Sequence, residues 1–433
     1  MWPEATVVGG GLAGCEAAWA LAERGIAVRL HEMRPDTPTE AHQTGRLAEL
    51  VCSNSFKSVD TTNAHGLLKA ELRRMGSLLL TAADESRVPG GTALVVDRDL
   101  FSAAVDSRVR AHPLITVVTG EALELPTPGI VATGPLTSSA LASAIAGRLG
   151  TEGLAFYDAI APIVSDESLE HGQLYALSRY GKGNGDDYLN APLNREEYDA
   201  FIAALTAADQ FSGHDFDAVP YFEGCLPVEE MAARGPETLR FGPMKPVGLP
   251  DPRTGREPWA VVQFRREDRA GQMWNLVGFQ TRLRIPEQQR VFRTIPGLAE
   301  AEFLRYGSIH RNSYINSPRS LGPGLASRGG EPTFFAGQLT GVEGYTESLG
   351  TGILAGINLA RHFQGLAPEV PPPTTMLGGL LRYLRDADPE HFQPMNANFG
   401  LLDPLEGRFK KADRRAALAE RAARDFGEWV GRL

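Results

Sequence analysis

The chain has 433 residues, 42% of them hydrophobic and 22% charged, a composition of globular proteins at a length beyond one ordinary core. No apolar run reaches the roughly 18–20 residues that span a bilayer, and the first apolar stretch runs straight into glycines instead of a cleavage site, so a cytoplasmic protein with no membrane association is expected. The net charge of -10 argues against a general nucleic-acid binder, and the three cysteines, Cys15, Cys52 and Cys225, hold no CxxC pair, which argues against a disulfide framework or a metal site.

Residues 5–8 read as a short buried strand, followed by Gly9-Gly10-Gly11-Leu12-Ala13-Gly14 and a helix over 15–24. Gly25 ends that helix, residues 26–30 form a second strand, and Glu32 stands at its end. A helical stretch covers 67–80. Residues 94–96 are a strand, and Asp97 caps a helix running to 108. Strands at 115–118 and 130–134 follow, the second ending in the turn Thr133-Gly134, and a helix spans 138–149.

From about 156 to 327 the character changes to Pro- and Gly-rich turns with aromatics. Short strands fall at 259–264 and 274–280, and helices at 195–208 and 286–293. Residues 181–187, rich in glycine, read as a mobile loop. The segment 240–328 holds 15 Lys and Arg against 7 Asp and Glu, a local +8 that leaves -18 for the rest of the chain, as suits one oriented anionic partner. A strand and turn at 333–338 resume the first pattern. A helix at 350–360 carries small residues on one face. A proline linker at 370–373 leads to helices at 382–386 and 414–430.

The first unit has a physical logic. Gly9 permits a tight turn, Gly11 lets the backbone approach a pyrophosphate, and Gly14 allows close helix–strand contact. The helix N-terminus directs N–H groups and its positive dipole at the phosphates. Glu32, 18 residues past Gly14, is spaced to accept hydrogen bonds from ribose hydroxyls, with Met33 and Arg34 beside it. An NAD domain usually closes within about 150 residues. Here a second glycine strand, ending in Gly337-Gln338, and a helix start at Gly350-Thr351-Gly352 appear late. That arrangement resembles flavoproteins of the glutathione-reductase type, as does the Thr133-Gly134 turn. The expected fold is therefore α/β: a glutathione-reductase-type FAD-binding Rossmann domain from 1–155 and 326–433, with a C-terminal helical region, and an inserted mixed α/β domain at 156–325 for the substrate.

Two cysteine segments are more specific than the glycines: Leu50-Val-Cys-Ser-Asn-Ser-Phe-Lys57 and Phe222-Glu-Gly-Cys-Leu-Pro-Val-Glu229. With Gly242-Pro-Met-Lys-Pro246, Gly278-Phe-Gln-Thr-Arg282, Ile309-His-Arg-Asn312 and the stretch from Ala336 to Tyr345, they make the chain resemble, nearly end to end, the TrmFO family of folate- and FAD-dependent tRNA uracil-5-methyltransferases. The related MnmG family, which modifies the wobble uridine, shares the FAD fold and an early cysteine segment but is longer.

The resemblance implies a chemistry. A thiolate adding to C6 of uracil makes C5 nucleophilic, a role that falls to Cys225. Cys52 matches the second active cysteine, either removing the C5 proton or assisting the flavin step. Cys15, on the first helix, reads as packing. Methylenetetrahydrofolate supplies the carbon, reduced FAD the hydride, and NADPH or NADH recharges the flavin. Arg282, His310, Asn312 and Tyr345 are candidate contacts for folate or tRNA. Arg265, Arg266, Arg269 and Arg284, with Arg408, Lys410, Lys411, Arg414 and Arg415 in the tail, are candidates for tRNA. The target implied is the T-loop uridine at position 54, which must flip out of its stack. Two other readings use the same motifs: a small-molecule flavin oxidoreductase with redox cysteines, and a noncatalytic tRNA-binding flavoprotein.

Overall fold

A computed structural model describes residues 3–39, 41–150, 154–211, 226–407, 409–410 and 413–433, with the side chains at 154–158 and 310–311 outside the description. The chain opens with β1 (Ala5–Val8), α1 (Leu12–Ala22) and β2 (Val28–Glu32). Next come β3 (Ser55–Ser58), α2 (Ala64–Arg74), α3 (Leu78–Glu85), β4 (Arg87–Val88), β5 (Ala93–Val96), α4 (Arg98–Ala111), β6 (Ile115–Thr119), β7 (Gly129–Val131) and α5 (Ser139–Leu149). The chain then crosses into a second region through β8 (Leu154–Ile160), β9 (Ile163–Ser165), β10 (Tyr175–Ala176), β11 (Tyr188–Leu193), α6 (Arg195–Thr206), α7 (Val228–Ala233), α8 (Thr238–Phe241), β12 (Ala260–Arg266), β13 (Met273–Leu276), α9 (Ile285–Phe292) and β14 (Phe303–Arg305). It returns along β15 (Ser308–Tyr314) to α10 (Ser317–Ser320), β16 (Thr333–Phe335), α11 (Tyr345–Phe363), α12 (Met376–Asp386) and α13 (Arg414–Val430).

The central sheet is parallel, in the order β16-β7-β1-β2-β6. Helices α1, α4 and α11 pack against it, and β2 alternates buried Val28, Leu30 and Glu32 with exposed Arg29 and half-buried His31. β16 comes from the far end of the sequence, so the Rossmann-type α/β sheet is completed only when the chain returns. One apolar core gathers residues from Ala5 to Ile145 and from Tyr314 to Trp429, and a second gathers Val164 to Ala301. The second is built on an antiparallel sheet ordered β10-β11-β12-β13-β9-β14. The antiparallel ribbon β8–β15 carries the chain out and back between them.

Helix α1 lies against α11 at backbone distance. A Cβ on Gly352 would sit 2.3 Å from the Ala13 carbonyl oxygen, and one on Gly356 would sit 2.7 Å from that of Ala17. Glycine is therefore required there by packing. α11 begins at Tyr345, after Gly344, so the expected start at 350 moves upstream and Gly350 and Gly352 become interior packing positions. The helix expected over 67–80 is two helices: Gly76 turns with φ 76°, and the Ser77 hydroxyl accepts from the Leu80 N–H to start α3. The glycine-rich loop at 181–187 is largely exposed and anchored at its last residue. Asp187 is 3% exposed, and its carboxylate accepts from the backbone of Gly91 at 2.7 Å and the side-chain amide of Asn184 at 3.0 Å.

Two buried carboxyls cap helices from outside. Glu16 accepts from the Ser77 hydroxyl and from the N–H groups of Leu78 and Leu79 at the start of α3. Glu71 accepts from Met376 and Leu377 at the start of α12, at 2.7 and 2.9 Å. Burial pushes Glu16 up to about 7 and Glu71 up to about 8, against those capping bonds. The folded protein thus holds protons that the unfolded chain releases above 4.5. Their contribution is fully present below that value and is lost as pH rises through about 7 and 8. The thermal midpoint should therefore carry a downward slope from pH 5 to 8 that Glu16→Gln with Glu71→Gln flattens. Denaturation scans across that range check it; an unchanged slope in the double variant contradicts it.

Candidate functional site

At the C-terminal end of β1, Gly9 donates to the His31 carbonyl at 2.8 Å, which turns the chain toward α1. A Cβ on Gly14 would lie 1.7 Å from the Gly9 oxygen, so only glycine lets the helix rest on the loop. The N-cap of α1 is Gly11, with no side chain closing the helix end and open space where its Cβ would stand. The first N–H groups of α1, at Leu12 and Ala13, are left for a ligand. Gly9, Gly11, Met33, Arg34 and Thr133 line a cavity of about 550 Å³ with Glu32. Glu32 accepts from Gly10 N at 3.0 Å and from the backbone and Nε of Arg34 at 3.0 and 2.9 Å. Burial alone would raise its pKa; Arg34 and the Gly10 amide more than offset that and hold it below the usual carboxylate value. An ionised acid at the end of β2, a bare helix N-terminus and a glycine floor fit the ribose and diphosphate of a dinucleotide. Gly134 turns with φ 68° beside Thr133. Cys15 belongs to the frame: it is fully buried, it donates to the Gly10 carbonyl at 3.3 Å, and burial, with Glu32 and Glu16, pushes its thiol up.

A larger cavity of about 1210 Å³ adjoins, bordered by Cys52, Lys57, Gln280, Asn312, Gln338, Tyr345, Glu347 and Asn396 among others. Tyr345 opens α11 and turns its hydroxyl oxygen to the backbone N–H groups of Cys52 at 3.1 Å and Ser53 at 3.0 Å. Burial, then Cys52, pushes that hydroxyl up, so it stays protonated. Arg98 holds the same loop from beneath, donating to the carbonyls of Leu50 at 2.6 Å and Cys52 at 3.1 Å. Its Nε lies 2.5 Å from the Glu267 carboxylate, which is 1% exposed. Arg265 adds bonds to the Ser53 hydroxyl and the Asn54 amide oxygen, both at 2.9 Å. Strand β12 of the second core and the residue after it therefore fasten the Cys52 loop of the first. Glu347, in the first turn of α11, accepts from Ala397 N at 2.9 Å with His65 Nδ1 at 3.2 Å. Burial would raise its pKa, but His65 and Lys57 hold it down.

Of the expected residues, Cys52, Asn312, Gln338 and Tyr345 meet in this one cavity. Gly337 abuts the start of α1, where its added Cβ would stand 2.9 Å from the Ala13 Cβ, and its N–H donates to the Thr351 hydroxyl at 2.8 Å. Thr351, Gly350 and Gly352 therefore support the cleft from inside α11 and do not form its rim. Arg282 lies outside the cavity lining, paired with Glu230. Cys225, Arg408 and Lys411 lie outside the described residues, as does the side chain of His310 on β15. Arg266 stacks over Trp274 at 5.3 Å, and Arg269 donates to the Glu85 carbonyl, so both meet protein. Arg284, Lys410, Arg414 and Arg415 are exposed. Sequence reasoning missed Arg98, Glu267, Gln280 and Glu347, whose roles arise only from contacts across long separations. Among the described residues, no group of three or more His, Cys, Asp or Glu is placed to hold a metal ion, and no helix is long and apolar enough to cross a membrane.

The family described as glucose inhibited division protein A matches residues 4–367. A protein of Geobacter sulfurreducens named methylenetetrahydrofolate--tRNA-(uracil-5-)-methyltransferase TrmFO is 58% identical over 427 residues, covering 98% of each chain. One of the same name from Thermus thermophilus is 55% identical, covering 99% of this chain and 96% of its own. Among solved structures, Aquifex aeolicus GidA matches with a TM-score of 0.69 at 15% identity, covering 99% of this chain and 74% of that one. The shared architecture bears out the expected α/β FAD-type fold.

The Arg98–Glu267 pair gives a direct test. Removing one partner of a buried pair leaves an uncompensated charge and typically costs about 3–5 kcal/mol. Arg98→Ala should lose about that much stability in urea and speed alkylation of Cys52, while Arg98→Met with Glu267→Leu should recover most of the stability but not the slow alkylation. Equal alkylation rates in all three proteins would show that Arg98 does not hold the loop.

Proposed function

We infer that this chain, which belongs to the TrmFO family, methylates C5 of a tRNA uridine with methylenetetrahydrofolate as carbon donor and reduced FAD as hydride donor. The observation that carries the reading is the Cys52 loop, held by Tyr345 and Arg98 on the wall of a large cavity next to a dinucleotide cleft. The near-complete match to relatives named for this activity supports it. Both relatives are named for uracil-5 methylation and are covered over 96% or more of their length, which favours that reading.

FAD, when bound, supplies the hydride that turns a methylene into a methyl group, and NADPH or NADH restores it. The glycine loop and the N-terminus of α1 take its diphosphate, and Glu32 takes the ribose hydroxyls. Cys225 adds as thiolate to C6 of uracil; the electron pair moves onto O4, and C5 gains the nucleophilicity to attack the folate methylene. The C5 proton must then leave, and Cys52, on the cavity wall, accepts it. Loss of that proton expels tetrahydrofolate from the carbon now joined to C5, and once the resulting methylene is reduced to methyl, expulsion of Cys225 from C6 restores the C5–C6 double bond. Asn312, 3% exposed, offers an amide for the pterin edge, with His310 two residues away on β15 as its stacking partner. The T-loop uridine at position 54 is the target, flipped into the cavity, with Arg284, Lys410, Arg414 and Arg415 as exposed phosphate contacts. The enzyme works in the cytoplasm.

Cys225→Ala should keep the bound flavin's visible absorbance and form no 5-methyluridine. The wild-type chain should act only with methylenetetrahydrofolate and a reduced nicotinamide present. Chromatography of digested tRNA checks both. Activity with S-adenosylmethionine in place of folate would overturn the reading, and turnover by Cys225→Ala would remove its nucleophilic role.

A further inference from the structure

Arg305 ends β14, the edge strand of the second core's sheet, and is half-buried. Its Nη2 lies 3.4 Å from the Ala41 carbonyl oxygen. Among the described residues no carboxylate stands within ion-pair distance of it. The neighbouring arginines differ: Arg34 is paired with Glu32 and Glu49, and Arg98 with Glu267. A half-buried guanidinium without a counter-charge is costly to keep.

Its position says what would relieve it. Ala41 borders the cavity of Cys52 and Tyr345, and the next residue, His42, borders the dinucleotide cleft. Arg305 itself lines neither cavity but is bonded to the segment where the two meet. The cleft itself is poor in positive charge. Its walls carry the carboxylates of Glu32 and Glu121, and its one arginine, Arg34, is already twice paired. Burial, then Arg34, pushes His42 down to about 4, so it is neutral near pH 7. A dinucleotide diphosphate brings two negative charges to this place, and the partial charge of one helix end, about half a unit, does not balance them.

We propose that Arg305 reaches from the second core to the seam and pairs with the diphosphate of the bound dinucleotide, clamping it against the N-terminus of α1. This rests on the FAD reading above. A guanidinium fork matches two phosphate oxygens at once, and a dianion offsets the push that burial and Arg98 exert on Arg305. The cofactor then ties the two cores together, because its glycine floor belongs to one and its clamp to the other.

The test uses the full chain stripped of flavin, titrated with FAD and with riboflavin, which has the same ring and no phosphate. Arg305→Ala should weaken FAD about tenfold or more, equivalent to about 1.4 kcal/mol, and leave riboflavin within about twofold. The difference should shrink in about 0.5 M salt, and Arg305→Lys should recover part of it. Arg305→Gln replaces the alanine variant if that one does not fold. Equal FAD affinity in variant and wild type, or an equal loss of FAD and riboflavin, overturns the clamp. So does unchanged FAD binding with a raised KM for methylenetetrahydrofolate, which would assign Arg305 to the folate. Failure of the wild-type chain to bind FAD would sink the flavin reading instead.

Discussion

The site depends on a buried ion pair between Arg98 and Glu267. Glu267 follows β12 in the second core, and Arg98 opens α4 in the first. The guanidinium spends its remaining donors on the carbonyls of Leu50 and Cys52, so one side chain joins two cores and sets the course of the reactive loop. Such pairs gain little net stability after desolvation. What this one supplies is position: Cys52 cannot shift without breaking bonds from both cores. Tyr345 completes the hold by accepting from the opposite, N–H side of the same loop.

The rest of the architecture serves that arrangement. Helices α1 and α11 meet at backbone distance through Gly352 and Gly356, so they run parallel, with α11 starting nearly two turns before the level at which α1 begins. One faces the dinucleotide cleft through Gly11, and the other begins with Gly344 and Tyr345 on the larger cavity. The ribbon β8–β15 crosses between the cores and delivers Asn312 to the same wall. A substrate in the larger cavity therefore touches elements that set the cofactor and elements that set the cysteine loop.

Much of this was legible in the sequence where the signal is local. The strand, glycine turn, helix and acid from Ala5 to Glu32 lie within a few turns of chain, and periodicity reads them directly. α13 matches its expected bounds, and Asp97 caps α4 as expected. The start of α11 was not legible, because glycine signals a helix end and a close helix contact equally well, and Gly350 and Gly352 serve the second purpose. The anchor of the loop at 181–187 was not legible either, because only tertiary contact reveals that Asp187 reaches across to Gly91. The partners of Cys52 were hidden by distance: Tyr345 is 293 residues away, and Glu267 stands 169 from Arg98.

The claim that a flavin serves methyl transfer here is tested most directly by the origin of the methyl hydrogens. Unmodified tRNA would be incubated with the enzyme, a reduced nicotinamide and folate deuterated at its methylene, then digested for mass spectrometry of 5-methyluridine. The account predicts a methyl group that keeps both labelled hydrogens and a folate recovered as tetrahydrofolate, because the third hydrogen comes from the flavin. A methyl group without label, dihydrofolate as the product, or no 5-methyluridine would contradict it.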